Sequence, residues 1–212
     1  MVSADGVSRA RELLDRAVAL DGSDEDERLE RNLLIAAAFR EILADEPIVV
    51  GGTAEDFWTA DSYHETDIDL VTSAPSASER EALAELGFSR DGRHWVHQVS
   101  RVPVEIPESR LKGDLSRVHR EAREPGIVAI ISAEDLYLDR VRRSTMDPND
   151  ESVQTFISAM AIAAANFLEM DWGYVDSAID AEDEAPPDVM RRINTRVRRR
   201  VRQRLADPGA RR

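Results

Sequence analysis

VVGGTAEDFWTADSYHETDIDLV, residues 49–71, decides how this chain is read. Val49 and Val50 continue a short apolar run from Ile48, and Gly51-Gly52-Thr53 interrupts it. TAEDFWTA reads as a short helix and DIDLVTS as a strand. Alternation along that strand puts Asp67 and Asp69 on one face and turns Ile68 the other way, into the core. Two carboxylates this close repel each other, so a cation or a shared proton must relieve them. Hard oxygen ligands of this kind suit Mg²⁺, which takes substrate phosphate oxygens among its remaining ligands. The glycines supply what phosphates need. Without Cβ atoms the backbone can come close, and the N–H groups at the start of the helix after Thr53 can hold an anion. Further along, VPVEIP sets Glu105 between Val104 and Ile106. A charged residue between apolar neighbours on a strand faces away from the core, where it can reach the same site.

Working outward, residues 8–20 place Leu13, Leu14, Ala17 and Val18 at helical spacing, and an acidic loop leads into a second helix over roughly 27–44, closed by Pro47. Ser76 or Ser78 caps a helix through Leu86 that Gly87 stops. HWVHQV and VPVEI have strand character and flank Ser100-Arg101, a hairpin-like pair. Residues 107–126 read as loop and irregular helix, and Ile127 to Ile131 as a further β-rich run. The remainder is helical. Ser132 with Asp135 reads as a capping box opening a helix to about Thr145. Val153, Phe156, Ile157, Met160, Ala161, Ala164, Phe167 and Leu168 form an apolar stripe over 151–169, and a helix near 172–181 follows. Strands and helices alternate in the middle and helices alone follow, which gives a mixed α/β (α+β) lobe with a helical lobe.

Composition narrows the class. The chain has 212 residues, 42% of them hydrophobic, and no cysteine. Disulfides, thiolate zinc sites and thiol nucleophiles are therefore excluded, and a reducing cytoplasm is the expected compartment. No apolar run reaches the roughly 18–20 residues of a membrane span, and the start has no signal-peptide pattern, so no membrane partner is expected. Formal net charge is -14, yet Lys112 is the one lysine among 28 basic residues. An acidic, lysine-poor surface suits a salt-rich cytoplasm, where carboxylates keep a protein hydrated, and a high-GC genome is the alternative source of arginine over lysine. The charge is uneven: residues 189–212 carry ten arginines and a single acid, Asp207.

The Gly-Gly turn, the D-x-D strand and the later acid together resemble the DNA polymerase β-like nucleotidyltransferase superfamily. GGTAEDFWT, DIDLV, LGFSRDGRHW, VEIP and ISAEDLYLDRV resemble more closely a family of small prokaryotic proteins related to the nucleotidyltransferase toxins of abortive-infection systems. The resemblance spans about residues 47–145 and implies a minimal nucleotidyltransferase fold with a small mixed sheet. It implies that Asp67, Asp69 and Glu105 bind two divalent metals, Mg²⁺ or Mn²⁺, and act in catalysis. It also implies that Gly51, Gly52 and Thr53 hold a nucleoside triphosphate. Arg140 stands where related toxins often carry a lysine that reaches the triphosphate, and arginine can clamp phosphate bidentately. The organisation expected is N-terminal helices over 1–46, the α/β core over 47–131, a helical lobe over 132–186 and a basic tail over 187–212. The reaction implied is nucleotidyl transfer to a hydroxyl acceptor such as tRNA, with a non-catalytic regulatory or antitoxin-like binding protein of the same fold as the alternative.

Other residues carry plainer expectations. His94 and His97 have odd spacing on one strand, so they point to opposite faces and cannot form a two-histidine metal site. Trp95 reads as core, and Phe57 and Trp58 as packing for the short helix. His64 could touch substrate or sit on a surface loop. Asp135 and Asp139, with Arg140, Arg142 and Arg143 near, read as a charged helix face. In the tail, Ile193, Val197, Val201 and Leu205 recur every four residues among arginines. Such a helix can dock on the acidic body, grip RNA phosphates or meet a partner protein.

Overall fold

The first helix, α1 (Ala4–Ala19), is capped by Ser3, whose hydroxyl accepts from the Gly6 N–H at 3.0 Å. The second, α2 (Glu25–Ile42), starts from an Asp24 cap that accepts from Glu27 N–H. Its LLIAAAF run is buried on every side, as a helix apolar all round must be. The computed structural model describes residues 2–20, 22–59 and 67–206. His64, Ala60 and Asp207 lie outside the described residues. Among those described, the chain forms two compact units, one of residues up to 57 with 67–132, the other of 58–59 with 133–206.

The first unit is built on one sheet. Its strands are β1 (Ile48–Val50), β2 (Ile68–Val71), β3 (Phe88–Asp91), β4 (His94–His97), β5 (Pro103–Glu105), β6 (His119–Arg123) and β7 (Gly126–Ile130), in the order β3-β4-β5-β2-β1-β7-β6. β1 runs parallel to β7 and β2 parallel to β5, and the other neighbours are antiparallel. Helix α3 (Gly51–Thr59) leaves β1 directly, and α4 (Ala77–Glu85) opens on a capping box between Ser76 and Glu79. Val49, Ile68, Leu70, Val104, Ala129 and Ile130 form the middle of the core. Phe39 of α2 meets Phe88 of β3 edge-on at 4.9 Å. Helix α2 therefore covers the face that also carries Trp95 and His97.

The fold is mixed α/β, with a mixed sheet and eight α-helices among the described residues. Several elements depart from the sequence reading. β3 and β6 were not expected: FSRD and HREAR are charged, and both are edge strands, where charge discourages pairing with other chains. The β4–β5 connection is residues 98–102 rather than a two-residue turn, and Arg101 takes φ 59 within it. Val18 faces outward at the rim of α1.

The second unit is helical: α5 (Ala133–Arg143), α6 (Gln154–Asn166), α7 (Trp172–Asp180) and α8 (Pro187–Ala206). The buried stripe of α6 is rotated from the one expected. Phe156 and Met160 are buried with Ala159, Ile162 and Ala163, whereas Ile157 and Leu168 are exposed. Asp135 is not on a charged face. It is 2% exposed and accepts from the Tyr174 hydroxyl at 2.5 Å. Helix α8 buries Met190, Ile193, Val197 and Val201 against its own unit, while Leu205 lies past the docked part and is exposed. No described helix is long and apolar enough to cross a membrane.

Candidate metal and phosphate site

Strand register sets the geometry. Val50 lies opposite Asp69, Asp69 opposite Glu105, and Glu105 opposite His94, so one row crosses four strands on one sheet face. The next row, Ile68, Val104 and Trp95, points to the core. Asp67 sits in a bend just before β2, two residues from Asp69. Among the described residues, Asp67, His94 and Glu105 each bring one ligand atom within 4.8 Å of the others.

Asp69 takes a different position within the row. A Cβ built on Gly51 would lie 2.3 Å from Asp69 Oδ2, so this carboxylate lies against the first residue of α3. Gly51 also has φ +65, a conformation that L side chains rarely adopt. Both facts require glycine where β1 turns straight into α3. The first N–H groups of a helix have no intrahelical partners. Those of Gly51, Gly52 and Thr53 are thus the donors that this turn offers an anion.

Thr53 is 1% exposed, and its hydroxyl donates to the Asp67 carbonyl at 3.1 Å while Asn32 Nδ2 approaches it at 3.4 Å. That side chain anchors the backbone of Asp67 to α3, and what Thr53 can offer a phosphate is its N–H. Arg140 lies in the helical unit. Its guanidinium donates to Asp139 Oδ2 at 2.8 Å and is largely buried.

Two residues of the site escaped the sequence reading. The β3–β4 hairpin turns at Gly92, with φ +58, and Arg93. Arg93 Nε lies 3.1 Å from Glu105 Oε2, and His94 Nε2 lies 3.5 Å from the same oxygen. The opposite-face rule for His94 and His97 holds: His97 is buried against Phe88, and His94 faces the acids. What that rule passed over is His94 acting alone. The available signal was Gly92 between FSRD and HWVH, which marks a hairpin, together with Trp95, which as a core residue sends its neighbour His94 to the other face.

The donor set fits a divalent cation. Carboxylate oxygens alone suit hard cations such as Mg²⁺ or Mn²⁺, and an imidazole nitrogen among them moves the preference away from Mg²⁺ toward the first-row transition metals. Arg93, beside Glu105, is 71% exposed and held by that contact and a 3.4 Å bond to His94. Such a contact is weak and yields readily to a cation.

No family model matches the chain, and no curated protein matches it. Among solved structures, it is similar to the solution structure of the antibiotic-resistance factor ANT(2'')-Ia. The identity is 14% and the TM-score 0.42, over 84% of this chain and 91% of that one. At that score and identity the likeness leaves function to be argued from the residues.

Proposed function

We propose that the chain is a metal-dependent nucleotidyltransferase, moving a nucleoside monophosphate from a nucleoside triphosphate to a hydroxyl acceptor. The observation that carries this reading is the single row of Asp69, Glu105 and His94, with Asp67 beside it, next to a helix start that only glycine can form. Asp67, Asp69, Glu105 and His94 would hold Mg²⁺ or Mn²⁺. A bound ion would acidify the acceptor hydroxyl and offset charge on the phosphates. The N–H groups of Gly51, Gly52 and Thr53 would orient the triphosphate for in-line attack at the α-phosphorus. Asp67 or Glu105 would take that hydroxyl's proton. Arg93, freed when Glu105 turns to the cation, would meet the departing pyrophosphate. Positioning and charge, rather than covalent chemistry, would do most of the work.

The test is calorimetry with ATP. Binding should require Mn²⁺, vanish in chelator, and be lost in Asp67→Asn and Glu105→Gln. Equal binding with and without chelator would overturn the reading. Binding without any pyrophosphate release, when cell RNA or protein extract is supplied as acceptor, would instead mark a protein that only binds the nucleotide.

A further inference from the structure

Helix α8 has two faces with different fates. The inner one is consumed by docking, with Met190, Ile193, Val197 and Val201 all at 0–1% exposure. On the outer one, Arg191, Arg192, Thr195, Arg196 and Arg199 line a shallow hollow of about 290 Å³. Docking needs only that these outer positions be polar. It does not explain eight arginines against one acid, Asp188, over residues 187–206 of a chain with net charge -14.

Some of those arginines have structural partners. Arg198 pairs with Asp176 and covers the Trp172 ring, Arg200 pairs with Glu151, and Arg202 covers Phe167. The hollow is different. Arg191–Asp180 and Arg192–Asp188 are ion pairs at 2.7 Å whose side chains are all more than half exposed. Exposed pairs contribute ~0–1 kcal/mol each, so a stronger anion displaces them. Arg196 is fixed in place by the Pro148 carbonyl at 3.0 Å and by the Phe156 ring, and lies 3.7 Å from Glu151, so it shapes the hollow more than it offers a free charge. Arg199 is exposed and has no ion pair among the described residues.

We propose that this face binds the phosphodiester backbone of a nucleic acid. Guanidinium groups clamp phosphate oxygens in pairs, and a threonine hydroxyl adds a further donor. From Arg191 to Arg199 the helix rises about 12 Å. That matches about three to four phosphates of one strand at their axial spacing. A protein partner fits less well. Its interface would need an apolar centre, and Arg191, Arg192, Thr195, Arg196 and Arg199 of the hollow are all polar, while the exposed apolar residues Leu205 and Ala206 lie apart from it at the C-terminal end of α8. An acidic peptide would also have to displace Asp180 and Asp188 with carboxylates no stronger than they are. The acidic remainder of the chain repels a polyanion at long range. At about 0.1 M salt screening acts within about 10 Å, and contact is then decided by the local patch.

The experiment is fluorescence anisotropy of the full chain with a short labelled RNA duplex, titrated with salt. A DNA duplex, tripolyphosphate and polyglutamate serve as parallel probes. The expected result is duplex binding with a log–log salt slope of about −3. The variant Arg192→Gln/Arg199→Gln should lose at least about tenfold in affinity and about 2 in slope, while keeping a cooperative melt, since both side chains are exposed and the ion pair lost, Arg192–Asp188, is exposed too. Equal dependence on these arginines with RNA and DNA supports a backbone contact, and so does dependence with only one of them. The proposal is overturned if the variant binds duplex as tightly as the parent. It is equally overturned if polyglutamate or tripolyphosphate binds and neither duplex does.

Discussion

Gly51 concentrates what a single residue decides here. It ends β1, begins α3 at φ +65, and leaves the space that Asp69 Oδ2 fills. Alanine would be strained in that conformation and would also collide with the carboxylate. Gly51→Ala should therefore lower stability by about 1–3 kcal/mol. It should also weaken Mn²⁺-dependent triphosphate binding, because Asp69 must move. Urea unfolding and calorimetry read the two effects separately, and a variant matching the parent in both would contradict the role given to this turn. The need for glycine was legible, since Gly-Gly-Thr after an apolar run has few other uses. The carboxylate filling the missing Cβ position was not, because the two residues are distant in sequence and meet only through the β1–β2 pairing.

Among the elements, β4 and its exit loop carry a titratable joint. His97 is 6% exposed, and its Nδ1 accepts the Ser100 N–H at 3.2 Å. Burial pushes its pKa below the ordinary histidine value of 6.5, while a backbone hydrogen bond to Leu86 and the charge of Asp15 oppose that shift. The unfolded chain therefore binds more protons than the folded one as pH drops below about 6.5, so stability is full above that value and falls below it. The urea midpoint should be lower at pH 5.5 than at pH 7.5, and His97→Gln should flatten that difference. An undiminished pH dependence in the variant would assign the effect to other groups. The strands themselves show how far pattern reading extends. β1, β2 and β7 are apolar and were anticipated, whereas β3 and β6 are the charged sheet edges and carry no apolar alternation. The α6 stripe failed for a related reason: an alanine-rich helix offers more than one apolar face, and its neighbours choose between them.

At the scale of the whole molecule, charge is the dominant property. Residues 1–188 hold 18 bases against 41 acids, and the arginines past them only partly offset the difference. Ion pairs such as Arg9–Glu41 and Arg120–Glu46 work against this repulsion, but both arginines are nearly half exposed and such pairs contribute little. Raising salt from about 0.1 M to 1 M shortens the screening length from about 10 Å to about 3 Å. It should weaken net repulsion more than the ion pairs, most of which have an exposed or half-exposed partner. The melting temperature should accordingly rise across that range of KCl, and a flat or falling trend would show that local pairs outweigh the net charge.

The sequence by itself determined the mixed α/β class, the interior strands, the glycine turn and the placing of Asp67 and Asp69 at the start of β2. Each is encoded by residues a few positions apart, through hydrophobic periodicity or backbone geometry. The tertiary structure alone decided that Glu105 lies directly opposite Asp69 and that His94 and Arg93 join it. It also decided that the apolar side of α8 docks while its arginines remain outside. These follow from strand register and helix docking, in which residues far apart in the chain are matched by packing, and no local pattern records that match.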